Sequence, residues 1–190
     1  MSPAAPEILP FSGDPDADRL IAADPVALLI GFVLDQQVTL QKAFSGPLEL
    51  ERRIGTLDPA AIAAFDPERF AAVFGERPAL HRFPANMSRR VQELCAALVA
   101  DYGGDPRRIW DEAPDAAELD RRLRALPGIG EMKAATLLAI LARRFGVRPP
   151  GIDDRLPTGP TLGDVDSDEA RERYQAAKRE RKRQLRAGGA

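Results

Sequence analysis

Leu126-Pro127-Gly128-Ile129-Gly130-Glu131-Met132-Lys133-Ala134-Ala135 joins two helical patterns through a short turn. Upstream, Leu119, Leu123 and Leu126 recur at helical spacing. Pro127 disfavours the α conformation at Leu126, so the first helix stops there. Gly128 and Gly130 carry no Cβ, so both admit positive φ and the close approach of another backbone. From Glu131 the helical pattern resumes through Ala134, Ala135, Leu138, Leu141 and Ala142. The first amides of that second helix have no partners within it. With the helix dipole behind them they form an anion site, and a nucleic-acid phosphate is the obvious candidate. A Gly-rich turn between two core helices would leave the same trace, and the rest of the chain has to separate the two readings.

Outside this stretch the composition points to an all-α globular protein. Ala, Leu and Arg dominate, β-branched runs are scarce, and 190 residues suffice for a real core. One cysteine, Cys95, excludes an intramolecular disulfide and a four-cysteine cluster, and the lone His81 excludes a multi-histidine metal site. The formal net charge of −2 hides an asymmetry: eight Lys/Arg face two Glu between Arg171 and Arg186, so the body carries −8 beneath a +6 tail. No signal-peptide pattern opens the chain, and the apolar run Val26–Leu34 is too short to span a bilayer. These features predict a cytoplasmic monomer with no membrane partner, associated with the nucleoid if the cell is bacterial.

In order, residues 1–13 read as a flexible arm. Asp14-Pro15 and Asp24-Pro25 open helices, the second of them apolar all round and therefore buried on every side. Asp35-Gln36-Gln37-Val38-Thr39 follows it, then a helix from about Leu40 to Arg53 and two short helices opened by Asp58-Pro59 and Asp66-Pro67. A basic connector, residues 77–84, leads to an amphipathic helix from Ser88 that puts Val91, Leu94, Cys95, Leu98 and Val99 on one face. The hairpin spans 115–145, residues 155–165 form a Pro/Gly loop, and 166–190 form a basic helix with a frayed end. The main folded domain is therefore 14–154.

Leu-Pro-Gly-Ile-Gly between two helices resembles the helix-hairpin-helix motif, and its surroundings over about residues 24–154 resemble the helix-hairpin-helix DNA glycosylase superfamily. Within it the chain looks closer to 3-methyladenine glycosylase II and to endonuclease III-like proteins without an iron–sulfur cluster. The resemblance implies a two-lobed helical bundle that binds double-stranded DNA. It implies phosphate contacts from Leu126, Gly128, Ile129, Gly130 and Lys133, and a monovalent cation at the hairpin. The -Gln36-Gln37- pair resembles the family's turn that pushes an amide into the duplex, with Gln37 at the inserted position and Gln36 on the pocket side; two glutamines capping a core helix is the plain alternative. Residues 83–91 resemble the loop and helix that lie close to DNA in the family, where Arg89 and Arg90 would serve phosphate or remain ordinary solvated arginines.

For chemistry, the resemblance implies an aspartate beyond the second hairpin helix that stabilises positive charge on the sugar as the N-glycosidic bond breaks. Asp153 is the first choice and Asp154 the second, although both lie slightly further along than the family spacing and no helix-forming sequence follows them. Bifunctional relatives carry a lysine at the seventh hairpin position; this chain has Met132, which fits the monofunctional type as a pocket wall. Lys133 is one residue on, rotated by about 100° on a helix. The expectation is a DNA repair protein acting as a monofunctional DNA glycosylase without AP-lyase activity, cofactor or metal. Its rivals are a lesion-sensing DNA-binding protein that has lost the acid, and an interaction protein that uses the hairpin as scaffold.

Overall fold

Asp14, Asp24, Asp58 and Asp66 each accept a hydrogen bond from a backbone N–H in the first turn of a helix whose first residue is proline. Proline loses nothing at that position because its missing N–H would have been unpaired. The helices opened this way are α1 (Pro15–Ala23), α2 (Pro25–Leu34), α4 (Pro59–Ala63) and α5 (Pro67–Gly75). Thr39 caps α3 (Leu40–Ile54) and Asp115 caps α8 (Ala116–Ala125). With α6 (Pro84–Tyr102), α7 (Arg107–Asp111), α9 (Glu131–Arg144) and α10 (Asp168–Ala187), they make every long element helical in a computed structural model that describes residues 5–187. The chain is all-α, as its composition requires.

α2 is the centre. All ten of its residues are buried, which matches an apolar surface with no polar stripe. α3 crosses it closely: a Cβ on Gly31 would lie 2.5 Å from Phe44 Cδ1, so only glycine permits the crossing. Phe44 is in turn met edge-on by Phe32 and Phe11, at 5.3 and 5.2 Å between ring centroids. Each such ring removed from water contributes about 1.5–3 kcal/mol. α4 and α5 lie on α6, which turns Val91, Leu94, Cys95 and Leu98 inward. Cys95 is plain core, its thiol pushed up to about 12 by burial.

One expectation about the chain ends needs correction. The flexible arm over 1–13 is ordered where it is described from residue 9 onward: Leu9 and Phe11 are fully buried, and Ser12 donates to Asp18 through both N (2.7 Å) and Oγ (2.6 Å). The apolar pair at 9 and 11 gives the segment enough burial to offset its ordering entropy. Met1–Ala4 lie outside the described residues, as does the frayed end expected at 187–190 except Ala187, which closes α10. The Pro/Gly loop at 155–165 is irregular but tied down. The 3-10 turn Asp153–Arg155 leads into it, a second, Leu162–Asp164, lies within it, and Leu162 and Val165 are buried. Arg143 of α9 donates to both oxygens of Asp164, at 2.5 and 2.6 Å. No described helix is long and apolar enough to cross a membrane.

Candidate nucleic-acid interface

α2 ends in a turn whose shape is enforced from a distance. Gln37 sits at φ 55, the one described non-glycine residue at positive φ, and its side chain is exposed. Such a backbone costs free energy unless its surroundings fix it, and here Gln36 is the fixed point. Arg90 of α6 donates from Nη1 to Gln36 Oε1 at 2.9 Å, and His81 Nε2 lies 2.9 Å from the Gln36 carbonyl oxygen. The Phe83 N–H donates to His81 Nδ1 at 3.0 Å, so the proton is on Nε2 and the imidazole donates to Gln36. His81 is 1% exposed, and burial lowers its pKa, with backbone hydrogen bonds opposing and Arg82 and Lys42 reinforcing the shift. Phe83 beside it is an exposed aromatic, with the Arg82 guanidinium 4.9 Å from its ring centroid.

The 126–130 turn is seated on the same end of α2. Leu126 and Ile129 are buried and anchor it, so neither is a surface contact for phosphate. Gly128 has φ 80, and a Cβ there would lie 3.1 Å from Val33 Cγ2 of α2. Gly130, by contrast, adopts φ −82 with open space around it, so its glycine is not demanded by the fold. α9 starts without a side-chain cap, leaving the first-turn amides of Glu131, Met132 and Lys133 open as the sequence requires. Glu131 itself lies 3.4 Å from Arg124, which tempers its repulsion of an anion.

Two residues assigned to this face behave differently. Lys133 does not reach outward to phosphate: its Nζ donates to Phe32 O at 2.5 Å and to Gly128 O at 3.4 Å, fastening the turn to α2. Burial lowers its pKa, opposed by Asp35 and reinforced by Arg90. An ammonium at the last carbonyls of α2 is the favourable sign for a helix C-terminus. The same ammonium next to the Gly128 carbonyl does not fit a metal cation on that oxygen. Met132 is 81% exposed and lines neither of the two depressions described below. Arg89 is exposed, bonded to Asn86 at 3.0 Å, whereas Arg90 is committed to Gln36.

The Asp153–Asp154 pair also lies on an exposed turn. Arg148 pairs with Asp153, and Arg155 Nη1 reaches back 3.2 Å to Asp120 on α8, so the turn is tied down with both aspartates outward. Among the described residues no hydrogen bond joins either to Gln36 or Gln37. Two surface depressions, of about 300 and 400 Å³, lie elsewhere, one at the opposite end of α2 around Asp24, Asp58 and Arg107.

No protein-family model, curated protein or solved structure matches this chain.

The site therefore rests on its own geometry, and that geometry includes a residue the sequence reading passed over. Asp35 follows α2 directly, half-buried. Burial raises its pKa, with Lys178 and then Lys133 pulling the other way. Tyr174 of α10 feels its charge. α10 is not a free tail at this point: Gln41 and Gln175 exchange amide hydrogen bonds at 3.2 and 2.9 Å, and Arg171 donates to Pro10 O. The sequence signal was available, an acidic residue ending a wholly apolar helix, but nothing local says that α9 and α10 converge on it. Among the described residues no group of three or more His, Cys, Asp or Glu is arranged to hold a metal ion.

Proposed function

We propose that this chain binds duplex DNA as a helix-hairpin-helix protein of the DNA-repair class and hydrolyses the N-glycosidic bond of a damaged base. One observation carries the reading: the exposed Gln37 turn and the 126–130 turn are fastened to the same end of α2, through Gly128 on Val33 and Lys133 on Phe32 O. A protruding amide held at fixed distance from a row of open helix amides suits a duplex, with phosphates on the amides and the glutamine directed at bases. Phe83 supplies an exposed aromatic face on the same side as Gln36, through His81. The basic residues of α10 add sequence-independent attraction to phosphate.

The reaction is monofunctional in this reading. Met132 has no amine, and the Lys133 amine is directed at two carbonyls. Incubating the protein with duplexes that each carry one lesion, with alkylated purine, uracil and oxidised pyrimidine in turn, should yield an abasic site in an intact strand. Borohydride should trap no covalent adduct. A trapped adduct that disappears in Lys133→Ala would make the enzyme bifunctional.

A second reading has a specific observation behind it. Asp153 is exposed and neutralised by Arg148, and a lesion-sensing protein without an acid would look the same there. Tight binding to lesion duplexes with no base released from any would select it.

A further inference from the structure

We propose that Asp35, and not the Asp153–Asp154 pair, is the carboxylate that meets the sugar of an extruded nucleotide; this rests on the glycosylase reading above. Asp35 is the residue next to Gln36, on the same turn as the protruding Gln37. A nucleotide displaced by that amide would leave the duplex beside it. The carboxylate is half-buried, and among the described residues no hydrogen bond engages it. Its lone pairs are uncommitted, in contrast to Asp153, whose charge is matched by Arg148.

The surroundings suit a developing cation. Asp35 stands at the C-terminal pole of α2, where the helix dipole is negative, so dipole and carboxylate act together on positive charge. The charge of Lys133 acts on it from α9 without forming an ion pair, and that ammonium is held by Phe32 O and Gly128 O. On α10, Lys178 and the half-buried Tyr174 are near enough for their charges to couple with it. A carboxylate that burial makes more basic than usual is also a better proton acceptor. In the reaction, the C1′–N bond breaks and its electron pair leaves on the base. A water oxygen then bonds to C1′, and the proton it releases passes to the Asp35 carboxylate and on to solvent.

The test uses two duplexes that differ by one atom: one with a tetrahydrofuran abasic analogue, one with a pyrrolidine analogue that is cationic at neutral pH. The full chain should bind the pyrrolidine duplex at least tenfold more tightly. Asp35→Asn should lose that preference while keeping its tetrahydrofuran-duplex affinity, and should release base at least a hundredfold more slowly. Asp35→Ala should agree with it, and circular dichroism establishes that both fold. The Asp153→Asn/Asp154→Asn double variant should keep the preference. No preference in the wild-type protein, a preference that survives Asp35→Asn, or one lost in the double variant overturns the assignment of Asp35 while leaving DNA binding in place. Failure of the wild-type protein to bind either duplex overturns the DNA-binding reading itself, and this assignment with it.

Discussion

The two turns at the end of α2 are shaped by opposite means. The 126–130 turn is shaped from within, by Pro127, by the positive φ of Gly128 and by the buried Leu126 and Ile129, with Lys133 tying it to α2. The 35–39 turn has no proline or glycine. It is held from outside, by Arg90 and His81, which are 54 and 45 residues away from Gln36. A turn built from local backbone preference tolerates changes to its neighbours and none to its own glycine. A turn built from distant hydrogen bonds has the reverse sensitivity.

That contrast is broken most severely at Gly128. Gly128→Val should lower stability by about 2–4 kcal/mol, from a β-branched residue at positive φ and the crowding of Val33, read as a shift in the urea midpoint. The effect means that a Gly128 variant cannot serve as a clean probe of phosphate binding. Lys133→Met should come next, at about 1–3 kcal/mol, because it leaves the Phe32 carbonyl without its donor. An unchanged midpoint would mean that the turn holds itself without α2.

Acid probes the other turn. His81 has a folded pKa below its ordinary 6.5, so the unfolded chain takes up a proton first. Its contribution to stability is whole above about pH 6.5 and is lost as pH falls towards the folded pKa. Protonation would also turn Nδ1 from an acceptor into a donor facing the Phe83 N–H. Unfolding midpoints at pH 7 and pH 5.5 should differ more for the wild-type protein than for His81→Asn. Equal differences would remove His81 from the account of Gln37. The smallest effect is expected at Gly130: Gly130→Ala should stay within about 0.5 kcal/mol of the wild-type stability. It is therefore the variant on which a loss of duplex affinity, measured by titration, speaks for the backbone of α9.

The difference between the turns also explains what could be read in the sequence. Asp-Pro caps, the apolar α2 and the Pro-Gly turn are written in contiguous residues, because each is a rule about one or two dihedral angles. The buried Leu9 and Phe11 and the inward Lys133 were not legible. Their positions follow from which surfaces happen to face them, and α2 alone does not say what will cover its end. Asp35 was missed for the same reason. Its charge is costly only once α9 and α10 exclude water, and a lone aspartate after a helix looks like a cap.

That cost has a measurable sign. Because burial raises the Asp35 pKa above its usual 3.8, the folded state holds the proton more tightly than the unfolded one. The stability that protonation lends is present below about pH 3.8 and lost as pH rises through the folded pKa. Asp35→Asn should therefore melt higher than the wild-type protein at neutral pH. A lower melting temperature would show that Lys133 and Lys178 outweigh desolvation.

α10 has a consequence of its own in mechanical terms. Arg171, Tyr174 and Gln175 clamp its root, while Arg179 to Ala187 run on exposed apart from a partly covered Glu180. At 1.5 Å per residue the outer stretch projects about 13 Å, the rise of roughly four base pairs at 3.4 Å each. A rod clamped at one end converts a few degrees of rocking at Tyr174 into ångströms at its tip. Its arginines move with the tip while the root stays held by Arg171 and by the Gln41–Gln175 amide pair, which makes α10 a cantilever.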